Sequence, residues 1–346
     1  VATLPAKRGS GRGGGRQPLF TRVHLVLLTP LLMIPFSIGD RPIVVPVPLE
    51  TRLVLGGDVM FSRSVGKQAR DKRDPAAPLR ELGAVLRGAD ITFVNLESPF
   101  SDRGHPVERG MVFKAEPEMI EALKFAGVDV VSTANNHARD QSGHGVEFTL
   151  DWLRQHGIAA AGSGRSPEEA HAGAILVRNG LRFGFLGYTY DQSNGNHSDT
   201  DERVAVLEVA TMRRDVAALL RRADVVVVSM HAGNEYWSKV VPQQKEFAHA
   251  AIDAGASIVV GHHPHVVQPW ERYRDGVIFY SLGNLVFDQF QRVETQHGWL
   301  AEVVFKGTAL ARTQVLPVDI LASGPRLAPV LRAATGGRGG GANASQ

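Results

Sequence analysis

Residues 257–265 read SIVVGHHPH: a short apolar run, a glycine, then three histidines in four positions. A brief apolar run bounded by a turn residue reads as a strand buried on both faces. Its carboxyl end here is loaded with imidazole. The same pattern recurs upstream. The apolar runs 52–56, 91–96, 128–133 and 225–230 lead into Gly56-Gly57-Asp58-Val59-Met60, Asn95-Leu96-Glu97, Asn135-Asn136-His137 and His231-Ala232-Gly233. Between them lie helical periods. Residues 117–126 place Met119, Ile120, Leu123 and Phe125 on roughly one face, and 145–156 place Val146, Leu150 and Leu153 together. Residues 211–222 and 243–254 behave alike. Strands alternating with helices predict an α/β sandwich, sheets inside and helices outside. Sites in such sheets lie at the carboxyl edge of the strands.

Two further features complete the layout. In 174–189, AILVRNGLRFGFLGYT, two β-rich runs flank Asn179-Gly180, a strong hairpin signal. More strands are expected at 277–280, 300–305 and 310–316. No internal repeat is visible.

Asp, Glu, Asn and His are the ligand types of hard or borderline divalent metals. Each piece alone has an ordinary reading. An Asp after Gly-Gly is commonly a helix N-cap, Asn-Asn-His is turn chemistry, and His231 at a strand end is a hydrogen-bonded core residue. His263-Pro264-His265 resists that treatment. Two imidazoles two apart in an extended segment point to one side, with Pro264 stiffening the spacing. Coincidence decides: five of the 13 histidines fall in three of these strand-end segments, and the other two segments supply carboxylates. With no cysteine in the chain, any metal is held by nitrogen and oxygen.

In order along the chain, GGDVM, NLESP, ANNHARDQ, HAGNEY, GHHPHVVQ and SLGNLVF resemble the successive motifs of the CapA family. These are poly-γ-glutamate capsule biosynthesis proteins with a calcineurin-like metallophosphoesterase fold. The resemblance covers about residues 51–290. It implies a four-layer α/β/β/α sandwich with one or two divalent metal ions (Mn, Fe or Zn) at one edge. It also implies work on poly-γ-glutamate or a phosphorylated envelope precursor, beside membrane-bound synthase subunits. By the same resemblance Asp58 matches the first metal carboxylate and Glu97 the bridging one. Asn136 matches the amide ligand, His231 and His263 the ligands of a second metal, and His265 a ligand of the first. His137 matches the histidine that protonates a leaving oxygen, with Asp140, three residues on, placed to orient it. His262 is set aside, at a position where the family accepts small residues. The phosphoesterase Asp-x-His reads Asp58-Val59-Met60, so one imidazole is missing. Its Gly-Asp-x-x-Asp is replaced by Asn95-Leu96-Glu97. Lys114, Arg139 and Lys239 are candidate receivers for the carboxylates of a polyanion.

The chain has 346 residues, 43% hydrophobic and 21% charged, enough for a packed core and against wholesale disorder. Its basic excess is local. Residues 1–22 hold Lys7, Arg8, Arg12, Arg16 and Arg22 and no acid; taking those five from a net +3 leaves −2. That argues against a nucleic-acid partner, whose basic patch belongs in the folded domain. The apolar run 23–38 after this basic stretch reads as an export signal or membrane tether, too short and Pro-broken to span. The expected organisation is therefore a signal-like segment and linker over 1–50, a metallophosphoesterase-like domain over 51–325 and a disordered tail over 326–346. The expected location is the extracytoplasmic face of the envelope. Two functions compete: a metal-dependent hydrolase of a phosphoester or γ-glutamyl amide, and a non-catalytic polymer-binding subunit of the synthase.

Overall fold

The structure, a computed structural model, describes residues 33–37, 42–46, 49–104, 110–193, 197 and 200–329. Residues 1–32 and the tail from 330 onward lie outside the described residues, and with them most of the signal-like segment and the expected disordered tail. In chain order the elements are β1 (Met33–Ser37), β2 (Pro42–Pro46), β3 (Glu50–Val59), α1 (Arg63–Asp71), α2 (Gly83–Arg87), β4 (Ile91–Leu96), α3 (Ile120–Ala126), β5 (Val130–Ser132), α4 (Ser142–Gln155), β6 (Ala159–Ala161), α5 (Pro167–Ala172), β7 (Ala174–Arg178) and β8 (Leu181–Thr189). Then come α6 (Val209–Leu220), β9 (Val225–His231), α7 (Pro242–Asp253), β10 (Ile258–His262), β11 (Val267–Tyr273), β12 (Gly276–Leu282), β13 (Asn284–Val286), β14 (His297–Lys306), β15 (Ala309–Leu321) and β16 (Gly324–Leu327).

Two large sheets stack. One runs β16-β15-β14-β3-β4-β5-β6, with β13 added beside the end of β3; the other runs β11-β12-β10-β9-β8-β7. The strands that matter for the site are parallel: β3 to β4 to β5 in the first sheet, and β9 to β10 in the second. All their carboxyl ends therefore face one edge.

Alternation along each strand sorts side chains into three cores. Leu53, Leu55, Phe93 and Val130 meet Phe185, Val227, Ile258 and Val260 between the sheets. Phe93 and Phe185 stack there with ring centroids 6.0 Å apart. The opposite parity, Val54, Val94 and Val131, packs with Leu86, Leu123 and Leu153 from α2, α3 and α4. On the far side Val226, Val228 and Val259 pack with Val216 and Phe247 from α6 and α7. Helix, sheet, sheet, helix is the four-layer order expected from the motifs.

The hairpin at Asn179-Gly180 forms, with both residues left-handed (φ +51° and +80°) as a two-residue turn requires. The sequence reading missed α1, α2, α5, β6, β11, β13 and β16. Most are short or lack a periodic pattern: β6 is three alanines and β13 three residues. The Pro-rich stretch read as a linker contributes β2, which pairs antiparallel with β1 from the end of the apolar run.

Gly57 shows how tightly the first sheet closes on the site. A Cβ there would lie 1.9 Å from the carbonyl oxygen of Gly283, a backbone atom that cannot swing aside. Gly57→Ala is expected to destabilise the protein by about 1–3 kcal/mol, the cost of overpacking. Urea denaturation measures it, and an unchanged midpoint would contradict this packing.

Candidate metal centre at the seam of the two sheets

Asp58 is the last residue but one of β3 and Glu97 follows β4; Asn136 and His137 lie in the turn after β5; His231 ends β9; His263 and His265 follow β10. All are buried. The carboxylate and imidazole atoms of Asp58, Glu97 and His265 lie within 4.8 Å of one another. Asp58 Oδ1 accepts from Asn95 Nδ2 at 2.9 Å and lies 3.3 Å from His262 Nδ1. Asp58 Oδ2 accepts from the His263 backbone N–H at 3.3 Å and lies 3.3 Å from His265 Nδ1. His265 Nε2 faces Glu97 Oε1 at 3.6 Å. Next to this group, His231 Nε2 lies 2.8 Å from Asn136 Oδ1, and the His231 and His263 rings are 4.9 Å apart.

The His263-Pro264-His265 segment is not extended. Both histidines are left-handed, at φ +97° and +58°, and their ring centroids are 6.2 Å apart. The expectation of two same-sided imidazoles on a straight strand is therefore corrected: a strained turn after β10 aims them. Such outliers persist only where the surroundings over-determine them. Here the Pro264 carbonyl accepts from the Tyr236 N–H at 2.8 Å. The Ser-Leu-Gly-Asn motif supplies the other clamp. Gly283 O accepts from Asp58 N at 3.0 Å, and Asn284 Oδ1 lies 3.0 Å from His265 Nδ1.

The donor atoms suit a divalent ion. Two ligands of one ion at about 2.0–2.2 Å sit roughly 3–3.6 Å apart, and the separations above fall close to that range. Among the described residues, buried Glu97 Oε1 and His263 Nδ1 have no hydrogen-bond partner, as expected of atoms reserved for something other than protein. Electrostatics agree. Burial, then the Asp58 charge, pushes the Glu97 carboxyl well above the ordinary carboxylate range. Burial would raise Asp58 too, but hydrogen bonds from His262 and His265 hold it well below. Burial, then the neighbouring His263, keeps His231 far below the usual imidazole value. Burial, then His265, lowers His263 to about 3.

The imidazole shifts set a pH dependence. Below the ordinary 6.5 the unfolded chain protonates His231 and His263 while the fold does not, so each contribution to stability is lost as pH falls. For His263, lowered to about 3, that loss between pH about 6.5 and 5 is about 2 kcal/mol in metal-free protein. His263→Gln should remove its share, so the wild-type and variant stability curves converge toward acid. Parallel curves from denaturation at several pH values would contradict this.

His137 stands beside the donors. Its Nδ1 lies 2.6 Å from Asp140 Oδ2, and its ring stacks on Phe113 at 3.9 Å between centroids. Asp140 Oδ2 also accepts from the Phe113 N–H at 2.6 Å. The place of the missing imidazole is apolar: Met60 packs with Phe113 and Phe287, and Phe287 lies against His265.

Three functional neighbours escaped the sequence reading. His262, set aside there, is fully buried against Asp58. Its parity was a usable signal, since it alternates with Val260, which faces the space between the sheets. Asn95 bonds Asp58, and Asn284 lies at hydrogen-bonding distance from His265; both lay inside quoted motifs without a role. The cation candidates also change. Arg139 is buried, with Nε 3.6 Å from Asp201, and Lys114 pairs with Glu116 at 2.9 Å. Lys239 is exposed.

The two-sheet, four-layer sandwich with carboxylates, amides and imidazoles at its seam is the architecture expected from the motifs. The family model for the bacterial capsule synthesis protein PGA_cap matches residues 52–289. The chain is 30% identical over 330 residues to the capsule biosynthesis protein CapA of Bacillus anthracis, across 90% of this chain and 78% of that one. It is 32% identical over 279 residues to the PGA biosynthesis protein CapA of Bacillus subtilis, across 79% and 72%. A hypothetical protein from Thermus thermophilus, solved as a crystal structure, shares the fold: TM-score 0.50 at 19% identity, over 78% of this chain and 99% of that one. The chain belongs to the CapA family of bacterial capsule synthesis proteins.

Proposed function

We propose that this protein serves poly-γ-glutamate capsule biosynthesis at the cell envelope as a metal-dependent hydrolase of a γ-glutamyl amide or a phosphoester. Its relatives' names support the capsule role. The His137–Asp140 pair carries the catalytic reading: a buried imidazole held by a carboxylate at 2.6 Å beside the donor cluster. A site that only binds polymer has no need of an oriented proton donor.

Asp58, Glu97 and His265 would hold one ion, and Asn136, His231 and His263 a second. Bound there, a divalent metal supplies an acidified water and a Lewis acid toward phosphoryl or carbonyl oxygen. The protein's own groups do the rest. With Nδ1 engaged by Asp140, His137 delivers its proton from Nε2 to the leaving nitrogen or oxygen. Asp140 fixes the ring and stabilises the charged imidazole that precedes transfer. Asn284 sets the orientation of His265, and Asn95 that of Asp58. Phe113, Phe287 and Met60 form a dry wall that strengthens these interactions.

One observation favours the polymer-binding subunit instead: Met60 stands where the phosphoesterase pattern has an imidazole. Assay of wild type, metal-loaded, on γ-glutamyl polymer and on a model phosphoester separates the two. Turnover of either supports the hydrolase; binding without turnover of either replaces it with the binding subunit. We place the protein on the extracytoplasmic face, exported or tethered by the basic and apolar N-terminal stretch. Protease protection in intact cells, lost on lysis, would refute that location.

A further inference from the structure

We infer that Arg292, laid over the ring of Tyr236, is a carboxylate-reading subsite beside the donor cluster, taking the α-carboxylate of a γ-glutamyl residue. The inference rests on the substrate class proposed above. Its geometry is independent of that proposal. The Arg292 guanidinium lies 4.8 Å above the Tyr236 ring. That ring is 6.2 Å from the ring of His265. Tyr236 is itself left-handed, at φ +66°, with its N–H bonded to the Pro264 carbonyl. Its hydroxyl accepts from Gln289 Nε2 at 3.4 Å; Gln289 Oε1 accepts from Asn284 Nδ2 at 3.2 Å; and Asn284 Oδ1 meets His265 Nδ1. A strained aromatic is thus wired to a donor of the centre and carries a cation.

Among the described residues Lys239 is exposed, while Arg63, Lys114 and Arg139 are already engaged. Arg63 lies over Phe113 and Phe287, at 5.0 and 5.7 Å, but is paired with Asp288. Lys114 and Arg139 have their own carboxylates. Arg292 is exposed and, among the described residues, makes no ion pair. Stacking on an aromatic face leaves the guanidinium edge available, and that planar edge matches a carboxylate with two parallel hydrogen bonds. An amide-linked γ-glutamyl chain offers one such carboxylate per residue.

The test is binding, read by fluorescence anisotropy at low ionic strength, of a labelled γ-glutamyl octamer and of the same octamer with α-carboxamides. It uses metal-loaded His137→Ala protein, so that the chain is bound and not cut. The parent should prefer the carboxylate form. Arg292→Ala should weaken that binding about tenfold, the low end for a charge-assisted hydrogen bond, and erase the preference. Arg292→Lys should recover only part. Tyr236→Phe, which keeps the platform, should match the parent, and Tyr236→Ala should follow Arg292→Ala. A parent that prefers carboxylate, with Arg292→Ala unchanged, overturns the subsite and leaves the proposed substrate standing. A parent that binds neither octamer overturns both. A phosphomonoester bound in an Arg292-dependent way, while the octamers are not, overturns the carboxylate assignment.

Discussion

His137→Ala is expected to lower hydrolysis roughly 10²–10⁴-fold, the contribution of one positioned acid, while metal content stays at the wild-type level. The reason is geometric. His137 is held by Asp140 and stacked on Phe113, outside the group formed by Asp58, Glu97 and His265. Removing it takes away a proton donor and no ligand. Asp140→Asn should give a smaller loss, because the amide holds the ring without stabilising its charge. Rate and metal measured on the same samples decide the point. A variant that loses its metal would show that His137 ligates, and one with full activity would show that it transfers no proton.

Asp58→Ala should empty the site and weaken the fold by about 3–5 kcal/mol, the usual cost of breaking a buried charge pair. The carboxylate is fully buried and serves Asn95, His262, the His263 backbone and His265 together. Its removal takes a shared acceptor from all four at the junction of the two sheets. Asp58→Asn keeps the shape and one acceptor oxygen. It should retain most of the stability and still lose most of the metal, which separates ligation from folding. Metal retained at wild-type level in Asp58→Asn would contradict the assignment of Asp58 as a ligand.

Much of this site was visible in the sequence because each donor follows an apolar run short enough to be only a buried strand. Parallel strands bring their carboxyl ends to one edge of each sheet, and stacking of the two sheets sets Asp58, Glu97, Asn136 and His137 beside His231, His263 and His265. What stayed hidden depends on departures from regular geometry. The left-handed turn at His263 and His265 cannot be inferred from a periodic pattern, and it replaces the straight segment that Pro264 suggested. His262 faces Asp58 only because the sheets stack. Asn284 reaches His265 through a three-residue strand too short to leave a signal. Arg292 reads as ordinary surface charge until Tyr236 is seen beneath it. Of the cations that sequence favoured, Lys114 and Arg139 are neutralised by partners and Lys239 is exposed; the partner of Arg139, Asp201, lies far along the chain.

The most direct test is elemental analysis of protein purified without chelator, for wild type, His137→Ala and His263→Ala side by side. The account predicts at least one equivalent of a divalent metal in wild type, the same in His137→Ala and a clear reduction in His263→Ala. Wild type that stays metal-free even after incubation with Mn, Fe or Zn would contradict it, as would His263→Ala with full occupancy.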